Sequence, residues 1–169
     1  ILIMSKDKLT SIPTEGKKLL ESVGPLSILP QLLASLGAIF AAAGVGDVIA
    51  GMVSNVVPEG NITVAIIIYA VAMALFTMIM GNAFAAFSVI TIGIGIPFIL
   101  AYGLDPNVVG MIGLTSGYCG TLMTPMAANF NIVPVAILEM KDKYGVIKKQ
   151  LPIALVMLVA QIILMRVMG

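Results

Sequence analysis

From Gly60 to Leu104 the chain runs through 45 residues without a charge. As one helix that run would be roughly 68 Å long at 1.5 Å per residue, about twice the ~30 Å of a bilayer's hydrocarbon core. It must therefore turn back or break. The polar interruption inside it is Met80-Gly81-Asn82-Ala83. Glycine takes the left-handed conformation that ends a helix, and asparagine is among the best residues to cap the start of the next. The pattern predicts a helical hairpin over residues 63–101, with arms Thr63–Ile79 and Ala83–Ala101 and its tip at 81–82. Gly93, Gly95 and Pro97 predict a bend in the second arm.

The rest of the composition fits a bilayer. Hydrophobic residues make up 60% of the 169, charged residues only 10%, and the mean hydropathy is +1.12. Soluble domains carry about 25% charged residues. The expected fold is all-α, a polytopic integral membrane helical bundle forming one domain over 1–169. The opening Ile1-Leu2-Ile3-Met4 reads as the middle of a longer protein, of which this would be the C-terminal part. One cysteine, Cys119, and no histidine exclude an internal disulfide, a Cys/His zinc site and a Cys–His or Ser–His nucleophile pair. No enzymatic activity and no nucleic-acid partner are expected. The twelve methionines are scattered and read as bundle filler.

Charge placement orients the chain. A basic segment covers 5–24, with Lys6, Lys8, Lys17 and Lys18. The next lysine is Lys141, and Lys143, Lys148 and Lys149 follow it. By the positive-inside rule both basic segments are cytoplasmic, so an even number of crossings separates them. Residues 25–57 read as a span, Pro25–Ala43, and a half-helix, Val48–Val57, separated by Gly44-Val45-Gly46-Asp47. Asp47 is the one carboxylate near the apolar body. Two readings stand side by side, an ion or proton pathway residue and an interfacial helix cap. A charged interfacial connector over 139–150 precedes a last span over 151–168, which leaves Arg166 on the outer side. The parity admits either a re-entrant hairpin or four full spans. The paired polar breaks favour the re-entrant form.

The second informative stretch is 107–139. It begins as a glycine-rich helix and meets Thr124-Pro125, followed by Asn129, Asn131 and Pro134. Pro125 removes a backbone donor and pushes Thr124 out of the helical region, so a broken helix is expected. Its freed carbonyls, with Ser, Thr and Asn side chains, are hard oxygen donors of the kind sodium sites use.

Three motifs carry a resemblance. They are Met80-Gly81-Asn82-Ala83-Phe84-Ala85-Ala86-Phe87, the run from Ser116 through Thr124-Pro125 to Asn131, and Leu138-Glu139-Met140-Lys141-Asp142-Lys143-Tyr144-Gly145. Together they resemble a bacterial membrane family formerly of unknown function that is assigned as one subunit of a 5-oxoproline (pyroglutamate) transporter. The resemblance covers essentially the whole chain, as the C-terminal half of such a subunit. More distantly, the layout is similar to the C-terminal repeat of the ion transporter superfamily, where a hairpin tip faces an unwound helix around a sodium-coupled carboxylate site.

The resemblance implies a secondary active transporter subunit for a small organic anion in the bacterial inner membrane, working with a second membrane subunit or as a homo-oligomer. The substrate residues it points to are Gly81, Asn82, Ala83, Ser116, Thr124, Pro125, Asn129 and Asn131, with a possible sodium ion at Asn82, Thr121 and Thr124. Gly81 and Ala83 stand where the superfamily's hairpin has side-chain oxygens. The alternative is a non-transporting assembly or scaffold subunit.

Overall fold

The computed structural model describes Lys17, Leu32, Ser35, residues 38–40, 42–54, Val57 and 61–169, except for the side chains of Ala128, Asn129, Ala136 and Ile137. The basic segment over 5–24, Lys17 apart, and most of the span over Pro25–Ala43 lie outside the described residues. Within them the chain is helical, with no strand: α1 Val45–Ser54, α2 Ile62–Met80, α3 Ala83–Ile90, a π-helical turn Thr91–Gly95, α4 Ile96–Phe98, a 3₁₀ turn Leu100–Tyr102, α5 Pro106–Met123, α6 Ala128–Asn131, α7 Val133–Ile137 and α8 Gly145–Met168. Among the described residues, three stretches are long and apolar enough to cross a membrane: Ile62–Met80, Ala83–Tyr102 and Gly145–Met168.

The hairpin forms from its local chemistry. Asn61 starts α2 by accepting a hydrogen bond from the Val64 N–H at 3.2 Å. Gly81 ends it in the left-handed region, φ 73°, with its N–H on the Thr77 carbonyl at 2.7 Å. Asn82 is extended, and its Oδ1 accepts from the Phe84 N–H at 2.8 Å, opening α3. The 19 residues of α2 reach about 28 Å, so the first arm is itself of spanning length. One face of α2, with Ile66, Tyr69, Ala70, Met73 and Thr77, is buried; Ile67, Val71, Leu75 and Ile79 stand exposed on the other.

The second arm departs from α geometry where the glycines and proline predict a bend. The Ile96 N–H bonds the Thr91 carbonyl five residues back, the signature of a π turn. This turn is tied to the first arm, with the Tyr69 hydroxyl and the Thr91 Oγ1 2.9 Å apart.

Helix α5 packs along α2. A side chain at Gly120 would strike the Ala74 carbonyl, and one at Gly113 would strike the Tyr69 ring, so these two glycines set how closely the helices approach. At its start Asp105 accepts from the Asn107 N–H at 2.8 Å; at its end Thr124 is extended (φ −118°, ψ 137°), as a residue before proline must be.

Two boundaries differ from the sequence-based expectation. The half-helix expected from Val48 begins at Val45, because Gly44 turns left-handed (φ 71°) and its carbonyl takes the Asp47 N–H at 3.1 Å. Asp47 is therefore in the first turn of α1 and is not its cap. The last helix begins at Gly145, six residues before the expected 151, and absorbs half of the connector. Asp142 makes this possible: its Oδ1 accepts from the Tyr144 N–H at 2.9 Å and its Oδ2 from the Lys148 ammonium at 2.7 Å. Pro152 lies inside the helix on an exposed face, near the polar end, where the carbonyl it frees can be hydrated.

Long-range contacts define two ends of the bundle. The Arg166 Nε donates to Thr63 Oγ1 at 3.2 Å, which sets the end of α8 beside the start of α2. The hairpin tip, the break after Met123 and the lysine cluster lie at the opposite end.

Candidate functional site at the helix break

The sequence separates Gly81 from Thr124 by more than forty residues, and the fold brings them together. The Thr124 hydroxyl donates to the Met78 carbonyl at 2.8 Å and accepts from the Met126 N–H at 3.2 Å. A single side chain thus takes up a carbonyl in the last turn of α2 and restarts the backbone beyond Pro125. The Met126 carbonyl stands 2.9 Å from where a Cβ on Gly81 would sit. Gly81 is fixed twice over, by its positive φ and by this contact.

Asn131 closes the break from below. Fully buried, it donates through Nδ2 to the Thr121 carbonyl at 2.8 Å and the Thr124 carbonyl at 2.6 Å. These carbonyls lack helical partners because α5 stops at Met123. Its own Oδ1 has no hydrogen-bond partner. A buried acceptor without a donor costs about 1–3 kcal/mol, so the site holds an acceptor ready for a ligand or water hydrogen, or for a cation.

The other expected residues are placed one by one. Ala83 is buried beside Gly117, one helical turn above Thr121. Asn82 is at the tip, but its Oδ1 serves its own helix, and among the described residues no hydrogen bond joins it to Thr121 or Thr124. The Thr121 hydroxyl donates back to the Gly117 carbonyl at 3.4 Å. Ser116 is set apart: it is buried two turns above the break with its hydroxyl on the Ile112 carbonyl at 2.8 Å, the ordinary internal bond of a helical serine. The backbone of Asn129 lies in α6, and its side chain is outside what is described.

Pro125 lines an open cavity of about 440 Å³ with Ile132, Val135, Glu139, Met140, Lys143 and Tyr144. Glu139 holds a left-handed φ of 48° at the end of α7, where the Met140 N–H reaches back to the Val135 carbonyl.

Thr77 belongs to the site and was not among the expected residues. It is fully buried, its carbonyl takes the Gly81 N–H, and its hydroxyl has no partner. A side chain at Gly117 would come within 3.2 Å of that hydroxyl. The available signal was position: Thr77 is a polar residue one helical turn before Gly81 in an otherwise apolar run.

Among the described residues no three of His, Cys, Asp or Glu converge. The side-chain oxygens in and around the break are neutral: the Thr121 and Thr124 hydroxyls and Asn131 Oδ1, with the Thr77 hydroxyl beside Gly117 one turn away. Neutral oxygen donors suit a monovalent ion better than a zinc-type one.

These features define an α-helical protein of membrane type, built on closely packed apolar helices around a polar helix break. The chain belongs to the family described as "Protein of unknown function (DUF979)", which it matches over residues 1–169. No curated protein and no solved structure matches it.

Proposed function

We propose that the chain is a subunit of a secondary active transporter for a small organic anion, with 5-oxoproline as substrate and sodium as coupling ion, in the bacterial inner membrane. The observation that carries this reading is the meeting of two helix interruptions at one end of the bundle, with two fully buried polar groups, Thr77 Oγ1 and Asn131 Oδ1, left without partners. Non-helical backbone in an apolar bundle is tolerated where it is buried in protein or lines a cavity, and transporters place their sites there. A carboxylate would be held at the start of α3 by the first-turn N–H groups that Asn82 leaves free, without an arginine. Thr124 and Asn131 would position the lactam, and the neutral oxygens would take the sodium. A second membrane subunit, or a second copy, would supply the rest of the enclosure.

One observation favours the scaffold reading. Asn82, Ser116 and Thr124 all spend hydrogen bonds on the protein's own backbone. The deciding experiment is uptake of labelled 5-oxoproline into proteoliposomes containing the full-length protein, with and without a sodium gradient, for wild type, Asn82→Ala and Thr77→Val. Sodium-dependent uptake that falls at least tenfold in Thr77→Val, with the protein still folded, supports the transporter. Uptake indifferent to both substitutions moves these residues to a purely structural role.

A further inference from the structure

Pro125 belongs to the helix break and also lines the open cavity of about 440 Å³ described above. The lining is of two kinds. Pro125, Ile132, Val135 and Met140 are apolar, while Glu139, Lys143 and Tyr144 bring a carboxylate, an ammonium and a phenol to the same space. The two charges are not spent on each other. Among the described residues the ion pair of this segment is Lys148 with Asp142, and the side chains of Glu139 and Lys143 make no hydrogen bond or ion pair. Both are exposed, as is Tyr144. The chain reaches this arrangement against its local preference, since Glu139 is left-handed (φ 48°), a region disfavoured for a residue with a Cβ. The turn is closed by the Met140 N–H on the Val135 carbonyl at 3.0 Å, and Val135, Glu139 and Met140 all line the cavity.

Embedded as a span, α8 sets this cavity at the headgroup layer. The helix begins at Gly145, directly after Tyr144, and its 24 residues make about 36 Å against the ~30 Å of the hydrocarbon core. Its early Lys148 and Lys149, and the connector from Glu139 to Tyr144 ahead of them, therefore stand where hydrocarbon gives way to headgroups. Phe130, Val133 and Leu138, exposed on the neighbouring short helices and just beyond them, suit the apolar side of that boundary, and tyrosine is enriched at it.

The lining selects an amphiphile. Water alone would wet Ile132, Val135 and Met140, and hydrocarbon alone would strand Glu139 and Lys143. An anionic headgroup would meet Lys143 but also the Glu139 carboxylate. A headgroup with both a phosphate and an ammonium answers each charge with its opposite, and an ammonium that keeps its N–H donors adds charge-assisted hydrogen bonds that a trimethylammonium cannot make. We propose that the cavity binds phosphatidylethanolamine, with the lipid phosphate at Lys143 and the Tyr144 hydroxyl, the ammonium at Glu139, and acyl chain against Ile132, Val135 and Met140. This rests on the chain being embedded in a bilayer and is independent of the transported substrate.

The test is lipid binding by the full-length protein in detergent, read by native mass spectrometry as phosphatidylethanolamine, phosphatidylcholine or phosphatidylglycerol with the same acyl chains is added. Phosphatidylethanolamine is retained about fivefold more than either of the others, the order of effect that one charge contact at the membrane surface supplies. Lys143→Gln lowers its retention by a similar factor. Glu139→Gln lowers it too and raises that of phosphatidylglycerol, a reversal of preference that a merely structural role would not produce. Lys149→Gln, outside the cavity, changes neither. Equal retention of the three lipids, or a preference unmoved by Glu139→Gln, overturns the proposal. A benzophenone amino acid in place of Met140, irradiated in vesicles containing equal parts of the three lipids, fixes the place. The expected adduct is phosphatidylethanolamine; an adduct to residues 1–31 of the chain or to a second copy shows the cavity otherwise filled and overturns the proposal as well. Neither readout uses uptake, so the lipid site and the transport reading fail separately.

Discussion

Two of the places where the described chain departs from α-helical geometry, the π turn of the second arm and the break at Pro125, are built differently. At Thr91–Gly95 the backbone widens into a π turn, and the polar group it carries is paired, Thr91 with the Tyr69 hydroxyl. At Thr124-Pro125 the helix stops outright. There Asn131 and Thr124 take up the stranded carbonyls, yet Asn131 Oδ1 and the nearby Thr77 hydroxyl stay without partners. A kink that serves packing closes its own polar account. A break that leaves buried acceptors open does so at a cost, and such places are where function is to be sought.

Four tests bear on this contrast. The largest effect is expected from Gly120→Leu, which drives a side chain into the Ala74 backbone and separates α2 from α5. It should cost upwards of ~3 kcal/mol and abolish a cooperative melt in detergent. Survival of a wild-type melt would show that α2 and α5 are not so closely apposed. Asn131→Ala comes next: it strands the Thr121 and Thr124 carbonyls and should destabilise by about 2–3 kcal/mol, read by thermal unfolding, with any uptake lost.

The third test sets the two breaks against each other. Thr91→Val removes the bond to Tyr69 and should cost about 1 kcal/mol while leaving transport unchanged. Thr77→Val removes a hydroxyl that has no partner, so stability should hold or rise slightly while uptake falls. If both variants changed stability alone, the distinction between kink and site would collapse.

The smallest effect is a pH dependence at the start of α8. The Lys148 ammonium, with the Tyr144 N–H, holds the Asp142 carboxyl below its ordinary range. A carboxyl depressed in the folded state contributes stability above its unfolded pKa and loses it as pH falls through the folded value. Amide exchange in residues 143–148 should therefore quicken in acid, below the ordinary carboxylate range, and Asp142→Asn should flatten that dependence.

Much of this was legible because the residues concerned act locally. Glycine at 81 and asparagine at 82 can end one helix and start the next wherever the chain lies, and proline at 125 dictates the conformation of Thr124 in any context. What was not legible depended on contacts across the fold. Nothing in the sequence around Thr77 says that its hydroxyl faces Gly117. Ser116 was expected in the site from the resemblance, and only the fold shows that its hydroxyl sits on the carbonyl four residues back, as helical serines do. The helix that carries the span expected over 151–168 reaches back to Gly145, where Asp142 takes the Tyr144 N–H and the Lys148 ammonium, a local pairing that the apolar pattern does not register. Whether the hairpin is re-entrant turns on the position of the bilayer, although both of its arms have spanning length.

The closeness of Gly120 to Ala74, together with the Thr124 bond to Met78, has a kinematic consequence. Two helices in backbone contact and stitched at one end form a single lever with no hinge between its halves. Such a pair is held to move together, so any opening of the break is best accommodated at the outer edges of the pair.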